Sequence, residues 1–307
     1  GNRAGSPYSY FYPYCLPDKS KCHLGLEKGT PGEYLTDRLT DEAVSFIKSH
    51  KDAPFFLHLS HHAVHTALQA PASVVDKYKN KPVGKYHTNP VYAAMIEKLD
   101  DGVGKICRAI QEMGIEENTI IIFYSDNGGS EPVTDNYPLH GGKGTPYEGG
   151  SRVPLIIKWP GKMPAGTRTS VPVIGVDFYP TFVHLAKGET SGNPDGRDIF
   201  EVVKNKETER DLFWHFPAYL ESYLNSGKDF RARPYSSIRS GDWKLIYNYE
   251  DKSMELYNLK EDLGETRNMA GLNPQKKEEL YNKLMKWIDD THAPVPTEPN
   301  PYYQGIK

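Results

Sequence analysis

The chain has 307 residues, 37% of them hydrophobic, enough to bury one or two cores. Its 37 Lys and Arg against 40 Asp and Glu leave a formal charge of -3, which argues against the clustered basic face of a nucleic-acid binder. No run is apolar and long enough to cross a membrane, so no membrane span is expected.

Residues 1–31 are rich in Tyr, Pro and Gly and read as surface loop. Three cysteines cannot all pair, and Cys15, Cys22 and Cys107 lack metal spacing; free thiols are favoured over a Cys15–Cys22 bridge. Leu35, Leu39, Val44 and Ile47 make a helical stripe within residues 34–49. Residues 54–60 are a short apolar run, read as a buried strand. A long helix is predicted over 90–114, with Met95, Leu99, Val103, Ile106 and Ile110 on one face and Gly114 as its stop. Asp100 and Asp101 lie on that helix, where packing or capping roles suit them better than acid–base chemistry.

Strands follow at 119–125 and 154–159, the latter ended by Pro160-Gly161, with a helix at 177–186. Strands alternating with helices predict an α/β sheet covered on both faces. After about residue 209 the pattern changes to short strands at 212–216, 235–240, 243–249 and 254–259, an antiparallel subdomain. A final helix runs to about residue 290, capped by Asn273, with Leu280, Leu284 and Trp287 inward. The expected domains are 1–208 and 209–307.

The richest stretch is Ile121-Ile122-Phe123-Tyr124-Ser125-Asp126-Asn127-Gly128-Gly129. A buried strand ends there in a carboxylate and a carboxamide, and ligands bind beyond the carboxyl ends of such strands. Asp126 and Asn127 suit a hard cation such as calcium, although a plain turn also explains them. Between His140 and Gly150, five glycines surround Lys143, so backbone approaches closely and the ammonium acts as a point charge on an anion. It is no nucleotide P-loop, because Gly144 stands where Ser or Thr is needed, and Tyr147 breaks the dinucleotide fingerprint. An ion pair between Glu148 and Arg152 is expected to hold the loop, and Trp243-Lys244 to pack the small sheet. His61 and His65 are four apart, as zinc ligands on a helix would be. A loop is expected there instead, since the segment follows a strand and runs into Pro71.

Tyr124-Ser125-Asp126-Asn127-Gly128 with Gly142-Lys143-Gly144-Thr145-Pro146-Tyr147-Glu148-Gly149-Gly150 and Arg152-Val153-Pro154 resembles the type I sulfatases of the alkaline phosphatase superfamily. Further matches run from Pro54-Phe55-Phe56-Leu57 and His65-Thr66-Ala67-Leu68-Gln69-Ala70-Pro71, through Val176-Asp177-Phe178-Tyr179-Pro180-Thr181, to Gly241-Asp242-Trp243-Lys244-Leu245. The resemblance implies an alkaline phosphatase-like α/β fold, a mixed sheet sandwiched by helices, with a small antiparallel sheet and helix at the C-terminal side. It implies a sulfuric ester hydrolase acting on a sulfated glycan, periplasmic or secreted. Asp126 and Asn127 are implied as part of the shell of one Ca2+, and Lys143 as a contact to the sulfate oxygens. His65 is implied as proton donor to the leaving alkoxide or as a sulfate contact, His215 as a sugar contact, and His61 and His62 as supporting residues.

The family's formylglycine nucleophile arises from a C/S-x-P-x-R motif that this sequence does not reproduce. Cys15-Leu16-Pro17-Asp18-Lys19 imitates it, with Lys19 in the arginine position, and Lys21-Cys22-His23-Leu24-Gly25 imitates the family's Lys-Trp-His-Leu-Gly stretch. Both are read as chance. The chain is therefore expected to be the C-terminal portion of a longer enzyme, inactive alone. A phosphoesterase or phosphonate hydrolase of the same superfamily, or a non-catalytic glycan-binding relative, are the alternatives.

Overall fold

The structure, a computed structural model, describes residues 7–221 and 230–298. It forms two compact units, Gly1–Phe123 with Ile156–Ala165, and Tyr124–Leu155 with Gly166–Lys307. The lysine loop and the small sheet thus share one unit, whereas a boundary at 208/209 separates them.

In the first unit, α1 (Leu35–His50) buries Leu35, Thr36, Thr40, Ala43 and Ile47, whereas Leu39 and Val44 of the predicted stripe are half-buried. A short α2 (Ala72–Lys79) follows Pro71 and was not anticipated. Helix α3 (Pro90–Glu112) starts on Asn89, whose side chain accepts from the Val91 and Tyr92 amides, with proline in the first turn. It packs on α1 and α2, and Asp101 faces Lys98 at 3.5 Å, a helix-surface pair.

Three expectations for this unit are corrected. Residues 7–31 are not only surface loop: Tyr10 and Tyr14 are fully buried, and they cluster with Leu26, Tyr34, Leu35 and Met95. Aromatic rings carry more buried area than any other side chain, so a Tyr-rich stretch builds a core when its hydroxyls find acceptors. Tyr10 donates to the His65 carbonyl at 2.9 Å, and Tyr34 to the Gln69 carbonyl at 2.9 Å. Cys15 and Cys22 form a disulfide, not free thiols, because an isolated β-bridge sets them opposite each other; Cys107 is free. Residues 54–60 are extended but not a strand, and Phe56 is 67% exposed. An apolar run supplies hydrophobicity but no ladder partner.

Replacing both Cys15 and Cys22 with serine is expected to lower stability by about 2 kcal/mol, the entropy of a short closed loop. Chemical denaturation of wild type and variant, without reductant, measures it. Coincident curves would show that the bridge contributes nothing.

Strands β1 (Ile121–Tyr124) and β2 (Leu155–Lys158) pair as a two-stranded sheet and link the units along the chain. The second unit holds the short helices α4 (Glu148–Ser151), α5 (Phe178–Leu185) and α6 (Ile199–Lys204). Asp177, fully buried ahead of α5, takes Arg210 in a two-pronged pair at 2.8 and 2.9 Å. The small sheet begins with β3 (Asp211–Phe216). A two-stranded ribbon of β4 (Leu220–Glu221) and β5 (Phe230–Ala232), not anticipated, precedes β6 (Tyr235–Ser240), β7 (Trp243–Asn248) and β8 (Met254–Asn258). The sheet order is β3-β6-β7-β8, all antiparallel. Helix α7 (Pro274–Thr291) packs on β6 and β7, and Ile238, Leu245, Leu256, Leu280 and Leu284 are fully buried between them. Burial of each such side chain contributes about 1.5–3 kcal/mol.

Asn273 precedes α7 but makes no side-chain cap, and Pro274 opens the helix instead. Trp287 is half-buried, stacked on Phe213 at 4.8 Å. The chain is α/β with an antiparallel sheet and helix at its C-terminal side, as the resemblance implied. Among the described residues the α/β sheet itself reduces to β1 and β2.

Candidate active site

Beyond β1 the chain turns through Ser125 to Gly129, and the glycine-rich segment is stitched onto this turn by main chain. Gly128 N donates to Gly150 O at 3.0 Å, Lys143 N to Gly129 O at 2.9 Å, and Gly149 N to His140 O at 2.8 Å. Asn136 clamps the same knot: its Oδ1 accepts from Gly129 N at 3.0 Å, and its Nδ2 donates to Gly129 O and Gly141 O at 3.1 Å each. The glycines are a packing requirement. A Cβ at Gly128 would strike the Gly149 carbonyl, and one at Gly149 the Gly141 carbonyl.

The knot brings Asp126, Asn127 and Lys143 into one loop cluster. Asp126 is exposed; Asn127 and Lys143 are half-buried. Asn127 Nδ2 donates to Gly128 O at 2.9 Å, which leaves its amide oxygen as an acceptor. A carboxylate and a carboxamide oxygen are hard donors and fit calcium in kind. They fall short in number, since calcium takes about six to eight oxygens. No group of three or more His, Cys, Asp or Glu among the described residues is arranged to hold a metal.

Behind the knot lies a buried ionic cluster. Lys244, on β7, is 1% exposed and places its ammonium 3.0 Å from Glu148 Oε1 and 2.9 Å from Glu265 Oε1. The second contact is electrostatic rather than a hydrogen bond, because Glu265 Oε1 lies off the donor direction. Glu265 Oε2 instead accepts the Glu148 amide at 2.6 Å. Burial opposes ionisation of Glu148, but Lys244 and the flanking arginines outweigh it and hold its carboxyl below the usual value. For Glu265 burial wins over Lys244, and the carboxyl is pushed up. The expected Glu148–Arg152 pair is present at 3.3 Å. Yet Lys244, expected only to pack the small sheet, is the deeper partner, and it ties the lysine loop to β7.

The histidine loop belongs to the other unit. His65 Nδ1 donates to Thr66 O at 2.9 Å. His61 is held neutral, its pKa lowered to about 4 by burial and then by His62. His62 faces His23, Nε2 to Nε2 at 3.2 Å. The run Lys21 to Gly25, read from sequence as a chance match, therefore folds against the histidine loop. Only the fold exposes that neighbourhood, because 39 residues separate His23 from His62. Asn136 escaped the sequence reading for a similar reason, as a polar loop residue carries no pattern.

His215, on β3, is committed elsewhere. Its Nδ1 pairs with Ser236 Oγ at 2.7 Å and its Nε2 donates to Pro294 O at 2.8 Å. Both ring nitrogens serve the small subdomain, and this geometry offers none to a sugar.

Residues 2–188 match the family model for sulfatases, and residues 142–293 match the model for the C-terminal part of N-sulphoglucosamine sulphohydrolase. A protein described as a sulfatase from Formosa agariphila is 40% identical, over 94% of this chain and 56% of its own length. Mouse steryl-sulfatase is 32% identical over 71% of this chain and 34% of its own. The crystal structure of Ps i-CgsB with k-i-k-neocarrahexaose superposes with a TM-score of 0.73 at 31% identity, covering 86% of this chain and 57% of that one. The chain spans little more than half the length of the Formosa relative. With a sulfatase model matching from residue 2 to 188, the chain belongs to the sulfatase family.

Proposed function

We propose that the intact protein is a sulfatase that hydrolyses a sulfate ester on a sulfated glycan. The observation that carries this reading is the main-chain knot that fixes Lys143 beside the Asp126-Asn127 turn. Family membership supports the reaction class, and the oligosaccharide complex described for Ps i-CgsB supports a glycan substrate. Lys143 places its ammonium against the sulfate oxygens and offsets the charge that builds there as the S–O bond breaks. The Asp126 carboxylate and the Asn127 amide oxygen would supply two ligands to a calcium, which would act as a Lewis acid there. The same reading gives His65 the role of proton donor to the leaving alkoxide. In this reading the nucleophile is a formylglycine. The Cys15–Cys22 disulfide supports a periplasmic or secreted location, where such bonds persist, and no helix among the described residues is long and apolar enough to cross a membrane.

The test is to assay the intact protein on matched sulfate and phosphate esters of sugars. Sulfate release that a chelator abolishes and calcium restores is the expected result. Faster turnover of the phosphate esters would overturn it in favour of a phosphoesterase.

A further inference from the structure

Residues 61–70, which carry His65, lie outside any helix or strand, with a turn closed by His65 N on His62 O at 2.8 Å. An irregular segment opens more readily than a strand or helix unless side chains fasten it.

The fastening comes from residues 10–34 of the same compact unit. At the start of the loop, His23 Nε2 meets His62 Nε2 at 3.2 Å, the two rings lying edge to face. In the middle, the Tyr10 hydroxyl donates to the carbonyl of His65 itself at 2.9 Å. At the end, Gln69 is held through both side chain and main chain. Its Oε1 accepts the Tyr10 amide at 2.7 Å, and its carbonyl accepts the Tyr34 hydroxyl at 2.9 Å.

These holders are themselves fixed. Tyr10 is fully buried and stacks on Tyr34, ring centres 5.7 Å apart. His23 sits on a hairpin closed by the Cys15–Cys22 disulfide, and its own amide donates to the Tyr14 carbonyl at 3.0 Å. Its Nδ1 donates to the Leu24 carbonyl at 3.0 Å, which sets the plane of the ring that meets His62.

A side chain that hands a proton to a leaving oxygen must stand within hydrogen-bond reach of it, and a misplacement of about 1 Å can slow a reaction by about 10²-fold. We infer that Tyr10 and His23 are positioning residues for His65. The buried hydroxyl fixes the peptide that carries the imidazole, and the His23–His62 contact fixes the turn that leads into it. The inference rests on the reading of His65 as proton donor to the leaving alkoxide. A purely structural role for the same contacts would slow every ester alike; a role through His65 discriminates by leaving group.

The test uses the intact protein and two kinds of sulfate ester. Monosulfated galactose, fucose and glucosamine have alkoxides that need a proton, whereas para-nitrophenyl sulfate has a phenolate that leaves without one. On the fastest of the sugar esters, Tyr10→Phe and His23→Ala are each expected to lower kcat by about tenfold with KM little changed. On the nitrophenyl ester the loss should stay below about twofold. His23→Gln, which can still exchange a hydrogen bond with His62, should recover part of the rate. On a His65→Ala background neither substitution should slow the sugar ester further, because residues acting as one unit are not additive. Equal slowing of both kinds of ester, or a full effect that persists without the imidazole, overturns the inference. Amide hydrogen exchange of residues 61–70 reads the fastening without any turnover and is expected to quicken by about tenfold in both variants. Unchanged exchange overturns the inference whatever the kinetics. Quicker exchange in a protein that releases no sulfate from any ester keeps the fastening and overturns the sulfatase reading.

Discussion

Lys143→Ala in the intact protein is expected to cut sulfate release by about 10²–10³-fold, the scale of removing one preorganised charge from a developing oxyanion. Stability should move by no more than about 0.5 kcal/mol. The asymmetry follows from how the residue is held. Its amide donates to Gly129 and its carbonyl accepts from Arg231, main-chain anchors that alanine retains. Steady-state kinetics beside a denaturant melt separates the two effects. A stability loss as large as the activity loss would return Lys143 to a structural role. Lys143→Arg keeps the charge but exchanges a compact ammonium for a planar fork, and should recover only part of the rate.

The largest stability effect is expected at Lys244. Lys244→Met keeps most of the volume but leaves Glu148 and Glu265 buried around no cation, and should cost about 3–5 kcal/mol. The pH dependence has a definite sign. Without the ammonium, both carboxyls lose the main charge that lowers them and are expected to move up from their wild-type positions, Glu265 from one already raised by burial. A group whose folded pKa is raised gives its stability below the unfolded pKa and loses it as pH rises through the folded one. The deficit of Lys244→Met should therefore be greatest at neutral pH and shrink as pH falls toward about 4.5. Adding Glu148→Gln and Glu265→Gln should recover part of the loss at pH 7. Urea melts across that range check it, and a deficit that grows toward acid would overturn the assignment.

The same pair of residues shows what sequence conveys and what it withholds. Helices α1 and α3 and strands β6 and β8 were legible because their apolar residues recur at the helix or strand period. The Asp126-Asn127 turn and the loop around Lys143 were legible because glycine spacing records close main-chain approach. Lys244 was not: Trp243-Lys244 reads as packing of the small sheet, and only the fold sets two carboxylates beside the ammonium. Tyr10 was misjudged as surface for a related reason, since its hydroxyl acceptor at His65 lies 55 residues away in sequence. The Cys15–Cys22 pairing likewise depends on a β-bridge that no local pattern announces.

The knot beneath the candidate site separates two kinds of information. In the proposed reading the side chains of Asp126, Asn127 and Lys143 carry the chemistry, whereas peptide groups of the glycines, aided by Asn136, carry the spacing. Peptide groups do not change when a neighbouring codon does. Substitution of side chains around this frame thus leaves the main-chain spacing of Asp126, Asn127 and Lys143 in place. Exchange of a single buried glycine, by contrast, is a change that later substitutions nearby cannot compensate.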